Sequence, residues 1–200
     1  MIESSAVEVD AESNVQTARR RGPKMDREVY TSKRGVASAG EPASQGLVSP
    51  DRTLYAEDLT VGDVWTTEMR QVTADDVQEF ANLTGDHTGL HGDQGSESPY
   101  GKPIAHGLLG LSILAGLGTN HPKASTLAFV SVEDWRFVAP VFLGDRVQAR
   151  NEIVEIEPHG RRAVKVRWLR QLVNEAGSVV QEGYFVTLVA SNARGRKKPR

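Results

Sequence analysis

Acidic and imidazole side chains are concentrated in the segment TGDHTGLHGD, residues 84–93. The segment holds two of the five histidines of the 200-residue sequence, His87 and His91, and places Asp86 and Asp93 beside them. Glycines interrupt it at three positions, which favours a turn over a regular helix or strand. A carboxylate and an imidazole brought together on a turn can exchange protons with a substrate, so this segment is the first candidate for an active site.

Each of these side chains also has a structural interpretation. Asp86 could simply accept hydrogen bonds from its own turn, and His87 suits the rim of that turn. His91 could be a histidine whose hydrogen bonds are satisfied inside the fold. His87 and His91 are four residues apart, the spacing of two metal ligands on a helix, but Gly89 between them makes such a helix unfavourable. The sequence therefore predicts no metal site.

The element that positions Asp86 is a predicted helix over TADDVQEFANLTG. Thr73 suits its N-cap because Asp76 follows three residues later, and Gly85 suits its end. Before this helix, LTVGDVWTTEMRQV predicts a short strand. The inner face of the helix is expected to carry Val77, Phe80, Ala81 and either Leu83 or Thr84.

A second helix and a set of long strands complete the predicted domain. The stretch IAHGLLGLSILAGLGTN is apolar on nearly every side, which predicts a helix enclosed by other structure. From Ser125 onward the residues alternate in strand-like runs. Turn signals separate these runs at Pro140, Gly144-Asp145, His159-Gly160 and Ala176-Gly177. Long antiparallel strands after one buried helix predict an α+β domain in which a curved sheet wraps that helix.

Composition restricts the classes of protein to which the chain can belong. The hydrophobic fraction is 38%, the mean hydropathy -0.40 and the formal net charge -2, so no overall field attracts nucleic acid or a membrane. Cysteine is absent, which excludes disulfides, thiolate metal ligands and a cysteine nucleophile. The acidic first residues do not resemble a signal peptide, and no apolar run approaches the roughly 20 residues of a membrane span. We therefore expect a cytoplasmic protein.

The chain divides into three predicted parts. Residues 1–50 contain one aromatic residue, Tyr30, and no apolar pattern, and are expected to be disordered. Residues 51–190 form the predicted folded domain, and residues 191–200 form a basic tail that ends in RGRKKPR. This tail and the run RRRGPK could bind nucleic acid, but short terminal runs of this kind are more often solvated. No nucleic-acid partner is predicted.

Three blocks of sequence occur in an order that points to a family. They are LTGDHTGLHGD, then YGKPIAHGLLGLSILAGL, then WRFVAPVFLGDRV. Together they resemble the MaoC-like dehydratases, the hot-dog-fold group that includes the (R)-specific enoyl-CoA hydratases. The resemblance covers most of residues 55–190 and implies the hot-dog fold, a curved antiparallel sheet wrapped around a central apolar helix.

The resemblance also implies an activity and the residues that perform it. Asp86 and His91 match the catalytic pair of the family, and Gly107 matches the glycine whose backbone N–H holds the thioester oxygen. Members hydrate trans-2-enoyl thioesters or dehydrate (R)-3-hydroxyacyl thioesters, with the site at or near a dimer interface. We therefore expect a hydro-lyase for acyl-CoA or acyl-carrier-protein thioesters. It should form a homodimer, or a heterodimer with a second hot-dog chain.

Two positions depart from the pattern of the family. Thr88-Gly89 stands where the family commonly has Asn-Pro, and Ala115 stands where some hydratases place a serine that hydrogen-bonds the aspartate. Ser112, one helical turn before Ala115, could take over that role in the substrate site. His106, immediately before the oxyanion glycine, is expected to fix the start of the second helix beside the substrate.

The same residues also satisfy the chemistry on physical grounds. Elimination of water from a 3-hydroxyacyl thioester needs a base at Cα, an acid at the leaving hydroxyl and a donor for the charge on the carbonyl oxygen. Asp86 and His91 can supply the first two, because burial and their mutual interaction can tune each toward neutral pH. The N–H of Gly107 at a helix N-terminus can supply the third. This chemistry needs no metal and no organic cofactor.

Two other functions remain open from the sequence. A thioesterase of the same fold would use its carboxylate to activate water against the carbonyl carbon, but the pairing of Asp86 with His91 disfavours this. A catalytically silent acyl-binding subunit of a heterodimeric dehydratase would keep the fold and lose the catalytic residues. Here the pair is present, which disfavours the silent subunit as well.

Overall fold

The computed structural model of the protein describes residues 52–92 and 98–192. The predicted disorder of residues 1–50 and most of the predicted basic tail lie outside these ranges. No helix within the two ranges is both long and apolar enough to cross a membrane.

Six antiparallel strands form one sheet. They are β1 (Val64–Thr66), β2 (Arg70–Gln71), β3 (Thr126–Phe137), β4 (Arg146–His159), β5 (Ala163–Asn174) and β6 (Val179–Ala190). Their order across the sheet is β1, β4, β5, β6, β3, and β2 also pairs with β4. Gly160 and Gly177 turn the chain between the long strands with φ values of 66° and 77°, at two of the predicted turns. β3 lies at an edge of the sheet.

Two α-helices lie within the described residues, α1 (Ala74–Thr84) and α2 (Gly107–Gly118), and a short 3-10 helix, Ala56–Asp58, precedes β1. α1 begins with the predicted capping box. The Thr73 hydroxyl accepts a hydrogen bond from the Asp76 N–H at 3.1 Å, and the Asp76 carboxylate accepts one from the Thr73 N–H at 2.8 Å. These reciprocal bonds satisfy two N–H groups that a helix start would otherwise leave free.

The end of α1 sets the position of Asp86, and the inner face of α1 packs on the rest of the domain. Gly85 closes the helix in the left-handed conformation, with φ 81°, as predicted. Val77 and Ala81 are buried, also as predicted. The prediction for the last inward position is wrong: Leu83 is 82% exposed and Thr84 is exposed as well. A helix on the surface buries only the stripe that faces the domain, and the stripe of α1 ends one turn before the helix does.

α2 is the central apolar helix, and it packs against β4 and β5. Leu109, Ile113 and Leu114 are buried in the core. The other side of the helix carries an exposed row, which we call the α2 stripe: Leu108, Ser112, Ala115, Gly116 and Thr119. Leu108 is 58% exposed. The prediction that this helix is enclosed on all sides is therefore wrong for the single chain, because the sheet of the same chain covers only one side of the helix.

Candidate active site

Asp86 lies on the turn directly after α1. Its Oδ1 atom accepts a hydrogen bond from the Thr88 N–H at 3.3 Å. This bonding from Thr88, reinforced by the nearby His106 and His91, lowers the pKa of Asp86 below its ordinary value. The side chain is 45% exposed. Asp86 is therefore a carboxylate at neutral pH, and the predicted tuning of this group toward neutrality by burial is wrong.

His91 faces Asp86 with its Nε2 atom. Its Nδ1 atom lies 2.8 Å from the Ile104 carbonyl oxygen, and because a carbonyl can only accept, Nδ1 donates. In the neutral ring, Nε2 then carries the lone pair. This atom lies 3.9 Å from Asp86 Oδ2, which is too long for a direct hydrogen bond. The distance suits one oxygen atom bound between the two side chains.

His106 is the third ionisable side chain of the site, and the sequence predicted it at the helix start beside the substrate, without a contact to the pair. It is the N-cap residue of α2 and is 3% exposed. Its Nε2 atom donates to the Asp86 carbonyl oxygen at 3.0 Å and lies 4.0 Å from Asp86 Oδ2. Its ring stacks on that of His91, with centroids 3.8 Å apart. His106 thus contacts both members of the predicted pair.

The two histidines tie two loops together by reciprocal hydrogen bonds. His91, in the loop after α1, donates to the Ile104 carbonyl in the loop before α2. His106 donates in the opposite direction, to the Asp86 carbonyl. The Ile104 N–H also donates to the Leu90 carbonyl at 3.3 Å. The positions of Asp86 and His91 therefore depend on both loops.

Gly107 opens α2 beside this cluster. Its carbonyl accepts a hydrogen bond from Gln181 Nε2 at 3.1 Å, whereas no residue in the described ranges accepts one from its N–H. The Phe137 ring packs closely on this residue: a Cβ here would lie 2.9 Å from Cε1 of Phe137 unless the ring moved. An N–H without an acceptor, at the positive end of a helix dipole, can serve as a donor to a developing oxyanion.

Two other residues singled out in the sequence lie apart from this cluster. The Ser112 hydroxyl donates to the Leu108 carbonyl at 2.8 Å, on the α2 stripe. The suggested hydrogen bond from Ser112 to Asp86 is therefore not formed in the structure. His87 is exposed on the turn.

The cluster also has donor atoms that could hold a metal ion. Asp86, His91 and His106 place ligand atoms within 4.8 Å of one another. Nε2 of His106 is the atom that donates to the Asp86 carbonyl, so a metal ion bound there would break one of the bonds between the loops. The absence of a metal from the reaction stays a prediction.

Residues 48–174 match the family model described as MaoC like domain. The chain belongs to the MaoC-like domain family. The match spans more than half of the 200 residues and includes the two loops that carry Asp86, His91 and His106, together with the start of α2. The family predicted from the three sequence blocks is therefore confirmed.

Known proteins similar to this MaoC-like chain agree with its membership. A 3-hydroxybutyryl-CoA dehydratase of Methylorubrum extorquens is 37% identical over an alignment of 117 residues that covers 56% of this chain and 71% of that protein. An (R)-hydratase from A. caviae involved in PHA biosynthesis superposes with a TM-score of 0.57 at 25% identity, covering 66% of this chain and 98% of the hydratase. A Mycobacterium tuberculosis protein with a double hotdog fold gives a TM-score of 0.62 at 19% identity, covering 74% and 47% of the two chains. The predicted α+β hot-dog fold is confirmed.

Proposed function

We propose that this MaoC-like chain is a hydro-lyase for acyl thioesters of coenzyme A or of acyl carrier protein. It adds water to a trans-2-enoyl thioester to give the (R)-3-hydroxyacyl thioester, and it catalyses the reverse dehydration. The observation that carries the proposal is the Asp86 carboxylate facing the Nε2 lone pair of His91 at 3.9 Å. The names of the relatives, a 3-hydroxybutyryl-CoA dehydratase and an (R)-hydratase, support the class of reaction.

The pair can move one proton in each direction of the reaction. In hydration, a water molecule between Asp86 and His91 donates a hydrogen bond to each. As its oxygen bonds to C3 of the enoyl group, its proton passes to His91 Nε2, and the Asp86 carboxylate stabilises the imidazolium that forms. This proton then passes to C2, which leaves a hydroxyl on C3 and a neutral ring. Dehydration follows the same steps in reverse.

Gly107 and His106 support this proton transfer. Negative charge develops on the thioester oxygen as water adds to C3, and the N–H of Gly107 donates to that oxygen. One such donor contributes about 2.7–4 kcal/mol to the transition state. His106 acts as a positioning residue, because it holds the Asp86 carbonyl and stacks on His91.

We propose that the chain acts as a homodimer. The edge strand β3 carries exposed apolar side chains: Leu127, Phe129, Val130, Val132 and Phe137. An exposed edge of this kind pairs readily with another strand, and twofold pairing of two copies joins identical surfaces. The same assembly could cover the α2 stripe. A different hot-dog chain is the alternative partner.

We expect the protein in the cytoplasm, in keeping with a sequence that lacks cysteine.

Substitution of the pair, singly and together, tests the catalytic assignment. Asp86→Asn keeps the size of the side chain and removes its charge, and His91→Ala removes the proton acceptor. Each should lower kcat by roughly 100-fold or more. The double variant should lose little beyond the worse single variant, because the two groups act as a unit. Loss of the absorbance of the conjugated enoyl thioester measures hydration, circular dichroism checks the fold, and His87→Ala is the matched control.

Each alternative gives a different result in these assays. A folded and active Asp86→Asn protein, together with an inactive His87→Ala protein, would move the catalytic role to His87. Release of free thiol from a saturated acyl-CoA would identify a thioesterase, and no turnover of any acyl chain on either carrier would identify a silent subunit. Chelators should leave the rate unchanged. A loss of activity on chelation would instead implicate a metal held by the cluster.

A further inference from the structure

Arg170 is a buried cation that the proposed reaction does not use. It lies on β5 and is 8% exposed. Its Nε atom has no hydrogen-bond partner, and no carboxylate in the described ranges forms an ion pair with the side chain. Burial lowers the pKa of Arg170 to about 10, which leaves the guanidinium charged at neutral pH. The C-terminal end of α2 beside the guanidinium supplies partial negative charge, and an anion bound next to Arg170 would supply the rest of the counter-charge.

The guanidinium is fixed at the C-terminal end of α2. Its Nη1 atom lies 2.1 Å from the place that a Cβ of Gly118 would take, so only glycine lets the helix approach it this closely. The rings of Trp168 and Phe185 lie beside it, with centroids 5.1 Å and 5.4 Å from its Cζ atom. These neighbours hold the group in place and supply no acceptor for its N–H groups.

Arg170 lines a cavity of about 520 Å³. The C-terminal half of α2 forms one wall, Phe129 of β3 another, and the Trp168 and Phe185 rings contribute a third. Among the described residues of the lining, Arg170 is the only charged one. A cavity lined by aromatic rings, three threonines and one fixed guanidinium suits a ligand that has an apolar body and an anionic end, because guanidinium binds carboxylate with two parallel hydrogen bonds.

The cavity and the catalytic pair lie toward opposite ends of α2 and β3. From Gly107 at the helix start to Ala115 at the cavity, the rise of the helix is about 12 Å. On β3, Phe137 lies against Gly107, while Phe129 lies at the cavity. The α2 stripe leads from Leu108 to the same end. To reach Arg170, an acyl chain whose thioester oxygen binds the N–H of Gly107 has to follow this stripe, the surface that the proposed dimer would also cover.

We propose that the acyl group of the substrate ends in a carboxylate and that Arg170 binds this carboxylate in the cavity. The inference rests on the proposed hydro-lyase function and narrows its substrate to monothioesters of dicarboxylic acids. The terminal carboxylate supplies the counter-charge that the described residues do not provide. The apolar part of the acyl chain lies against the rings of the cavity.

Pairs of trans-2-enoyl-CoA substrates of equal chain length, one ending in a methyl group and the other in a carboxylate, test the proposal. At the chain length that fits best, the wild-type protein should show a kcat/KM about 30-fold or more higher for the carboxylate. Arg170→Met keeps the length of the side chain and removes the charge, and should abolish this preference. Arg170→Lys should keep part of it, since lysine retains the charge without the fork. The matched control is Arg167→Met on the same strand, where the guanidinium bonds Glu133 at 3.1 Å; it should keep the preference.

Failure of this inference can be distinguished from failure of the proposed function. Equal or higher kcat/KM for the methyl-ended substrate at every chain length would overturn the inference and leave the hydro-lyase intact; a carboxylate of a partner subunit would then be the counter-charge. If neither substrate is hydrated, the proposed function is wrong, and calorimetric binding of the matched saturated thioesters tests Arg170 separately. If the wild type, but not Arg170→Met, binds the carboxylate-ended thioester more tightly than the methyl-ended one, the carboxylate site at Arg170 is supported. Equal binding of the two thioesters by the wild type refutes it. If Arg170→Met does not fold, the wild-type preference and Arg170→Lys decide the outcome.

Discussion

A single methyl group added at Gly107 should separate the chemistry of the site from the stability of the fold. In Gly107→Ala, the new Cβ would lie 2.9 Å from Cε1 and 3.0 Å from Cδ1 of Phe137. Carbon atoms in contact normally stay about 3.5–4.0 Å apart, so the ring has to withdraw by about 0.6 Å. Phe137 is 50% exposed and can move toward solvent. The substitution is therefore tolerated by the packing around it.

The two consequences of this substitution differ greatly in size. Overpacking of a core costs about 1–3 kcal/mol, and less at a half-exposed ring. Alanine is favoured over glycine in a helix by about 1 kcal/mol, which offsets most of that cost. The free energy of unfolding should therefore change by less than about 1 kcal/mol. Alanine keeps the backbone N–H, but its methyl group restricts the approach of the thioester oxygen to that donor, and we expect kcat to fall by about 100- to 1000-fold.

Hydration rates and thermal unfolding measured on the same preparation distinguish these two effects. The double variant Gly107→Ala/Phe137→Leu is the matched control, because leucine lacks the ring carbons that the new methyl group meets. We expect the double variant to remain as slow as the single one. Recovery of the wild-type kcat would mean that the displaced ring, rather than crowding at the Gly107 N–H, caused the loss, and the argument that the methyl group restricts approach to this donor would be refuted.

Two further predictions concern assembly and the first helix. Val130→Lys and Val132→Lys place charge on the edge strand β3 and should convert the dimer to monomers in light scattering; a variant that stays dimeric would exclude this edge as the interface. Asp76→Ala removes hydrogen bonds to Thr73 and Arg70 and should lower the free energy of unfolding by about 1 kcal/mol at pH 7. Despite partial desolvation, these partners lower the pKa of Asp76, so its stabilisation is fully present above the ordinary pKa and is lost as the pH falls from that value through the lowered pKa. Equal losses of thermal stability at pH 7 and pH 3 would contradict that origin.

The elements of the fold were predictable wherever a local pattern determines them. The capping box of Thr73 and Asp76 and the glycine at the end of α1 specify that helix from adjacent residues, and both are confirmed. The surroundings of α2 were not predictable in the same way. The sequence pattern of a helix that is apolar all round is the same whether the sheet of its own chain or a second chain covers it. The exposed α2 stripe was therefore missed.

The candidate site was predictable in part. Asp86 and His91 are five positions apart in one segment, so their proximity was visible in the sequence, and the three blocks predicted the family that the comparison confirms. The contact of His106 with Asp86 joins residues twenty positions apart and could be read only from the packing of two loops. Arg170 gave no signal either. The residues around Arg170 alternate in the way typical of a strand, but only the tertiary structure shows that no carboxylate in the described ranges pairs with it.

The reciprocal bonds between the two loops limit how this site can change during evolution or be transplanted by design. His91 takes its orientation from the carbonyl of Ile104, and Asp86 is held through its own carbonyl by His106. A loop grafted alone into another sheet would carry an acid and an imidazole without the acceptor and the donor that orient them. A substitution that shifts the backbone of one loop should therefore persist only together with a compensating change in the other loop. The two loops are expected to evolve as one unit.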